Sequence, residues 1–288
     1  MLTIGGLVFL LACVFGSYIV SGGAMEPLIE AMPFELWTIL GAAMGTFLMS
    51  NSMHDVKHTI GAFGKMIKGS AYKKSDYTDL LSLLFYFVRL ASSKGAMALE
   101  AHIEKPSESP AFQKFPKILK NHHVSDMLCD YLRMFGMNCD DPNQIEDLMS
   151  RELKKTLNEE MHPSHALQSM ADALPALGIV AAVLGVIKTM SHINEPPAVL
   201  GEMIGGALVG TFLGVLLAYG MAGPFATRIK GVVEEESKYF DVVKAVLVAH
   251  LHGNAPQVSV ETGRKMVPTQ YMPSFAELEN TVQNLQIG

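Results

Sequence analysis

The chain has 288 residues, 49% of them hydrophobic, and a net charge of −6. Its bases are interspersed with acids, which argues against nucleic acid as a partner, and three scattered cysteines, Cys13, Cys129 and Cys139, argue against a disulfide framework or a metal knuckle. Every Lys and Arg except Lys188 falls between Lys57 and Lys155 or between Arg228 and Lys265, and each block follows a pair of long apolar segments. Lys and Arg near a helix end resist translocation, so the pattern is that of two membrane-spanning hairpins with their basic connections in the cytoplasm.

The four apolar segments are Leu2 to Val20, Leu36 to Met53, Leu174 to Met190 and Met203 to Ala226. Each is about long enough for a bilayer core of about 30 Å at about 1.5 Å rise per residue. The first is expected to be a retained span rather than a secretory signal: no Lys or Arg precedes it, no clean small-x-small site follows, and a second span comes at once. The connection between the first two holds Glu26, Glu30 and Glu35 without a base, and that between the last two holds Glu195. Both are expected to face outward, with the N-terminus, the long middle segment and the tail inside. Lys188, near the outer end of the third span, can snorkel to the interface. Gly41 with Gly45, and Gly206, Gly210 and Gly214, have the four-residue spacing that lets helix backbones approach closely, within one chain or between subunits.

Between the second and third spans the pattern is helical. Ser75 can cap a helix whose apolar face runs through Leu80, Leu81, Leu84, Phe85 and Val88; Pro106, Pro110 and Pro116 punctuate a loop region; further helices are predicted over 118–135 and 144–157. Pro175 is expected to open the third span and Pro224 to lie in the last turn of the fourth, either as a hinge pair at the cytoplasmic face or as a plain start and stop. The fourth span is predicted to continue inward through 234–251, and Ser274 with Glu277 forms a capping box for a last short helix. No strand alternation persists. The fold class is therefore all-α: a polytopic membrane protein with four transmembrane helices and a large helical cytoplasmic insert. The segments are 1–53 (first two spans), 54–168 (insert), 169–226 (last two spans) and 227–288 (helical tail), in lipid, with both termini cytoplasmic.

The span interiors so assigned carry no ionisable group: Asp172 sits at the inner edge of the third and Glu202 at the outer edge of the fourth. If the protein conducts an ion by a carboxylate relay, another chain is expected to supply the carboxylate. The polar groups left at depth are Thr211 and Tyr219, eight positions apart and so about 80° apart around an α-helix. Thr211 is a candidate path-lining residue, with bonding back to its own helix as the alternative. His54 and His58 have a spacing that suits a shared metal, but no third ligand is near; His122 with His123, and His162 with His165, are equally unaccompanied. With no catalytic constellation and no Walker or dinucleotide loop, neither an enzyme, a cofactor nor a bound metal is indicated.

The runs DALPALGIVAAVLGVI (Asp172 to Ile187) and LVGTFLGVLLAYG (Leu208 to Gly220), with Pro224, resemble the MotA family, the ion-channel and torque subunits of bacterial flagellar stators. The likeness extends over Val14 to Gly23, Leu99-Glu100, Ile103 to Ser109, Asp130 to Arg133 and Pro273 to Glu279. The resemblance implies a ring, understood as a pentamer, around the single spanning helices of two MotB chains, in the bacterial inner membrane. It implies that a MotB aspartate carries the proton, that proton binding and release shifts contacts at Pro175 and Pro224, and that the turning ring pushes the rotor protein FliG. Rotor-facing residues carry over as Glu100 and Glu152. Where the family has an arginine this chain has Ser92, and the candidate replacements are Arg89, eleven helical steps before Glu100 and so on nearly the same face, and Lys94, which Gly95 threatens to separate from that helix. Sodium-type relatives tend to have threonines where this chain has Ala182 and Gly210, and fewer oxygen ligands suit a proton. An energiser of the ExbB or TolQ type is the alternative, disfavoured because that class has one span ahead of the insert; a purely structural membrane scaffold is a second.

Overall fold

The computed structural model describes residues 2–137 and 141–285, so Cys139 lies outside the described residues. The described residues are helical with turns, without a strand, and form two compact units, Met1–Gly69 with Glu160–Val232 and Ser70–Glu159 with Val233–Gly288.

The first unit contains α1 (Leu2–Val20), α2 (Glu26–Ser50) and α3 (Met53–Lys68). Helix α1 buries none of its residues, an apolar surface suited to lipid or another chain and not to water. Helix α2 starts at Glu26 and not at Leu36, so Glu26, Glu30 and Glu35 lie on a helix and not in the connection. The reason is local: Pro27 fits the first turn, Glu26 favours the positive end of the helix dipole, and Pro33 is accommodated inside the helix. Met53, expected to end the second span, instead begins α3, because Ser52 and Asp55 form a reciprocal capping box and start a new helix. Residues 54–69 and 160–168, assigned from the sequence to the cytoplasmic insert, cluster with the spanning helices.

In the second unit, α4 (Lys74–Lys94) is followed by a 3-10 turn (Ala96–Leu99) and the short helices α5 (Glu100–Ile103), α6 (Pro110–Gln113) and α7 (Pro116–Lys120), then α8 (His122–Gly136). Ser75 is not the cap of α4. The helix begins one residue earlier, and the Asp76 carboxylate accepts the Lys73 N–H at 2.8 Å. The helix expected over 118–135 is broken at Asn121, leaving α7 and α8. Pro110 and Pro116 each open a short helix. Leu80, Leu84, Phe87, Leu128, Ile145 and Val246 lie in one apolar core. Beside it, Tyr72 stacks on Tyr239 with ring centres 3.9 Å apart, and Lys117 pairs with the nearly buried Asp76 at 2.7 Å.

Helix α9 (Pro142–Met190) is 49 residues long and merges the predicted 144–157 helix with the third span. Pro163 and Pro175 are both inside it, so Pro175 does not open a helix. Helix α10 (Pro197–Leu217), a π turn (Ala218–Ala222) and α11 (Gly223–Leu251) form one helical path, as predicted for the fourth span and its inward continuation. Pro224 is the second residue of α11, in the first turn after the π turn, and not in the last turn of a helix. Its ring would crowd the preceding α-turn and it has no N–H to donate; the chain widens the turn before it, where the Gly223 N–H reaches the Ala218 carbonyl. Helices α12 (Pro256–Met266) and α13 (Phe275–Gln283) complete the second unit, and Ser274 with Glu277 makes the predicted capping box of α13.

Candidate functional site

The glycines of α10 set the geometry of the membrane site. A Cβ on Gly178 would stand 2.8 Å from the Gly210 carbonyl, and one on Gly214 would stand 2.8 Å from the Leu174 carbonyl. Only hydrogen at these positions lets α9 and α10 come so close. Gly210 and Gly214 thus serve packing inside the chain, whereas Gly41 and Gly45 have nothing within 4 Å. The seam brings Ala182 to the level of Gly210, whose ideal Cβ would be 3.2 Å from the Ala182 nitrogen. Thr211, the next residue, is half-buried. The hydroxyls of Thr38, Thr46, Thr59 and Thr189 each donate to a carbonyl of their own helix. Among the described residues, none accepts from Thr211, so the back-bonding alternative is not realised and its oxygen is left for another group.

Tyr219 is 71% exposed and sits on the π turn. That turn interrupts the α-helical phase, so the angle of about 80° to Thr211 expected for a continuous helix does not apply. Tyr219 instead shares a recess of about 620 Å³ with Pro224, Gln168, Thr227 and Arg228. Pro175, half-buried, follows the Leu174 carbonyl that touches Gly214.

One residue overturns the expectation that the span interiors lack ionisable groups. Glu35 is ten residues into α2, and its Oε2 is buried without a hydrogen-bond partner. The same oxygen lies where a Cβ on Gly210 would come within 2.6 Å of it. The available signal was Pro27 beside Glu26, a helix start that carries Glu35 more than two turns into the span.

Arg89, Lys94 and Glu100 are exposed in the second unit, and among the described residues no side chain pairs with any of them. Arg89 and Glu100 do not share a helical face: α4 stops at Lys94 because Gly95 takes φ +81°, and Glu100 opens α5. Lys94 is the last residue before that break. Glu152, on α9, accepts a hydrogen bond from the Tyr131 hydroxyl of α8. Burial and this bond push the Tyr131 pKa up. A feature missed in the sequence holds the segment after Glu100: the His102 Nδ1 is 2.7 Å from the Ser109 hydroxyl and its Nε2 3.3 Å from that of Tyr86. Burial lowers the His102 pKa, so the ring is neutral at pH 7. The juxtamembrane histidines meet carboxylates, His58 facing Glu160 at 3.8 Å and His162 facing Asp55 at 3.5 Å.

Four helices long and apolar enough to cross a bilayer, two of them closed on a glycine seam, define a multi-pass helical membrane protein with a large helical domain between its hairpins. Residues 4–95 match the model of the motility protein A N-terminal region, and residues 115–242 that of the MotA/TolQ/ExbB proton channel family. Motility protein A of Escherichia coli is 39% identical over 98% of this chain and 95% of its own length, and chemotaxis protein LafT of Vibrio parahaemolyticus is 33% identical over 95% of each. Among solved structures, that of C. jejuni MotAB matches with a TM-score of 0.73 at 18% identity, covering 93% of this chain and 95% of that one. The flagellar MotAB stator complex from Bacillus subtilis matches with a TM-score of 0.70 at 21% identity, covering 94% and 98%. The chain belongs to the motility protein A branch of the MotA/TolQ/ExbB proton channel family, and its function is that of a flagellar stator subunit. The motility-specific N-terminal match spans both leading helices, which separates it from the ExbB and TolQ alternative.

Proposed function

We propose that this chain forms a ring, a pentamer, around the spanning helices of MotB in the bacterial inner membrane, and that proton passage past Ala182 and Thr211 turns the ring against the rotor protein FliG. The observation that carries the reading is the α9–α10 seam. It brings the uncommitted Thr211 hydroxyl to the level of Ala182, while Ile179, Val183, Leu184 and Ile187 on α9 remain about half exposed, an apolar face suited to neighbouring spanning helices. A single hydroxyl and an alanine offer a sodium ion too few oxygens to replace its hydration, so the ion is a proton. An aspartate of MotB receives it.

Pro175 and Pro224, with Tyr219 beside the latter, act as the hinge positions that pass the motion on. Each withholds a backbone donor inside a continuous helix, so the helix can bend there without breaking a bond it already has. Arg89, Lys94, Glu100 and Glu152 form the rotor-facing charges, the first three exposed without partners and Glu152 oriented by Tyr131. Both termini and the second unit lie in the cytoplasm, where the basic residues are concentrated. A potential of 100 mV supplies about 2.3 kcal/mol per charge, enough for small rearrangements at the two prolines for each ion. The test is co-expression with MotB in cells lacking their own stator. Restored swimming is expected; paralysis at normal levels of both chains would overturn the proposal.

A further inference from the structure

We propose that α3 is an interfacial helix that binds anionic phospholipid, with Met53, Ile60 and Ile67 seated among the acyl chains and Lys57, Lys68 and Arg228 on the headgroups. The inference rests on the membrane-spanning assignment of the chain and on none of the roles given to the ion path or the rotor-facing charges. Its first support is position. Asn51 and Ser52, both in extended backbone, separate α3 from the end of α2. The Phe63 ring of α3 lies 6.4 Å from that of Phe225, at the inner end of the fourth span. The Ser164 hydroxyl donates to the Ala226 carbonyl at 2.8 Å and so fixes which part of α9 stands at that level. Asp55, His58 and Lys65 are spread over about 15 Å of α3, yet all meet α9 at Glu160 or His162, about 3 Å apart along that helix. A helix running beside α9 would advance equally along it, so α3 crosses it and lies along the inner membrane face.

The second support is the face turned away from the protein. Met53, Ile60 and Ile67 recur every seven residues, so they stay within about 40° of one another around the helix, and they are 66%, 68% and 51% exposed. The face that packs on the protein, with Thr59, Ala62 and Met66, is centred about 130° away. Such a stripe is poorly placed in water and well placed at the edge of a bilayer. The third support is charge. Lys57 and Lys68 stand exposed on the far flank of the stripe, about 60° to 80° further round. The Arg228 guanidinium lies at the C-terminal end, 3.1 Å from where a Cβ on Gly69 would be. Among the described residues none of these three cations pairs with a carboxylate. The nearby acids are taken up elsewhere: Asp55 accepts from the Ser52 hydroxyl and faces His162, and Glu160 takes Lys65. The aliphatic stems of Lys57 and Lys68 let their ammonium groups reach the phosphates while the stripe stays among the chains. A headgroup without net charge would leave the three cations unmatched; an anionic one meets them.

The test uses the full chain reconstituted in mixed vesicles of phosphatidylglycerol and phosphatidylcholine, and needs neither MotB nor ion flow. Trp37 is the chain's one tryptophan. In a Trp37→Phe background, Ile60→Trp places a fluorophore on the stripe, and bromine on the acyl chains of one lipid or the other quenches it on contact. Quenching is expected with both, and the anionic lipid is expected to be enriched about fivefold at the site, the equivalent of about 1 kcal/mol for a Lys near an anionic surface. With Lys57→Gln and Lys68→Gln together, the enrichment is expected to fall by about half or more while quenching persists. Absence of quenching would put α3 against protein or water, and equal quenching by the two lipids would leave a helix without headgroup choice. An enrichment unchanged in the double variant would place the anionic site elsewhere on the chain. Each of these results overturns the proposal. Ile67→Trp, seven residues along the same stripe, repeats the measurement and replaces Ile60→Trp where that variant fails to fold.

Discussion

Thr211 and Glu277 show how differently one polar side chain can serve a helix. The Thr211 hydroxyl bonds to nothing in its own helix, unlike those of Thr38, Thr46, Thr59 and Thr189. Thr211→Val keeps the shape and deletes the oxygen. If it lines the path, proton flux and swimming should fall about fivefold, the worth of about one hydrogen bond of 1 kcal/mol, while MotB still co-purifies; normal swimming would return Thr211 to packing. Glu277 serves its helix outright. The Lys74 ammonium, 2.8 Å away, and the Ser274 N–H, 2.7 Å away, hold its carboxyl down at about 2. A lowered folded-state pKa gives stability that is complete above the ordinary value of 4.5 and is lost as the pH falls toward 2. Amide exchange in α13 should therefore quicken across that window before exchange in α8 does, and Glu277→Gln should abolish the difference. The capping box was legible because its two partners are three residues apart in the sequence. Glu35 was not, because an acid near a span's end reads as a loop marker until the helix start is placed correctly.

Helices were legible as apolar or amphipathic stretches, and their boundaries were not. Pro175 read as a helix start, yet α9 runs through it, as through Pro163, since neighbouring helices and the membrane preserve the rest of its bonds. The opposite error came at Gly95, where the eleven-residue match between Arg89 and Glu100 assumed a helix that a positive φ ends. The prolines are open to test at this scale. Pro175→Ala and Pro224→Ala each restore a backbone donor and relieve about 3 kcal/mol of helix-interior strain, so the variants should assemble at normal levels. In Pro224→Ala the reason for the π turn is gone, and the 218–222 segment should close to α-helix. Swimming should be lost in both. If both swim at wild-type speed with normal stator levels, the prolines only shape their helices, and the motion reaches the second unit by another route.

The four spans and the intervening helical domain could be read from the chain because hydropathy and the placement of Lys and Arg act over whole segments. What meets the open apolar sides of α1 and α9 could not, since lipid tails and a neighbouring helix select the same side chains. That ambiguity bears on conduction. In the seam of α9 and α10 this chain offers Thr211, which does not titrate, and the nearest carboxyl, that of Glu35, stands on α2 against Gly210. A relay needs a carboxyl that is loaded from one side and emptied to the other, and on the stator reading that group belongs to MotB. Vesicles containing this chain alone should therefore show no proton flux under an imposed potential, and adding MotB should create it. A robust flux from the chain alone would mean that its own residues complete the relay, and the division of labour between the two proteins would have to be abandoned.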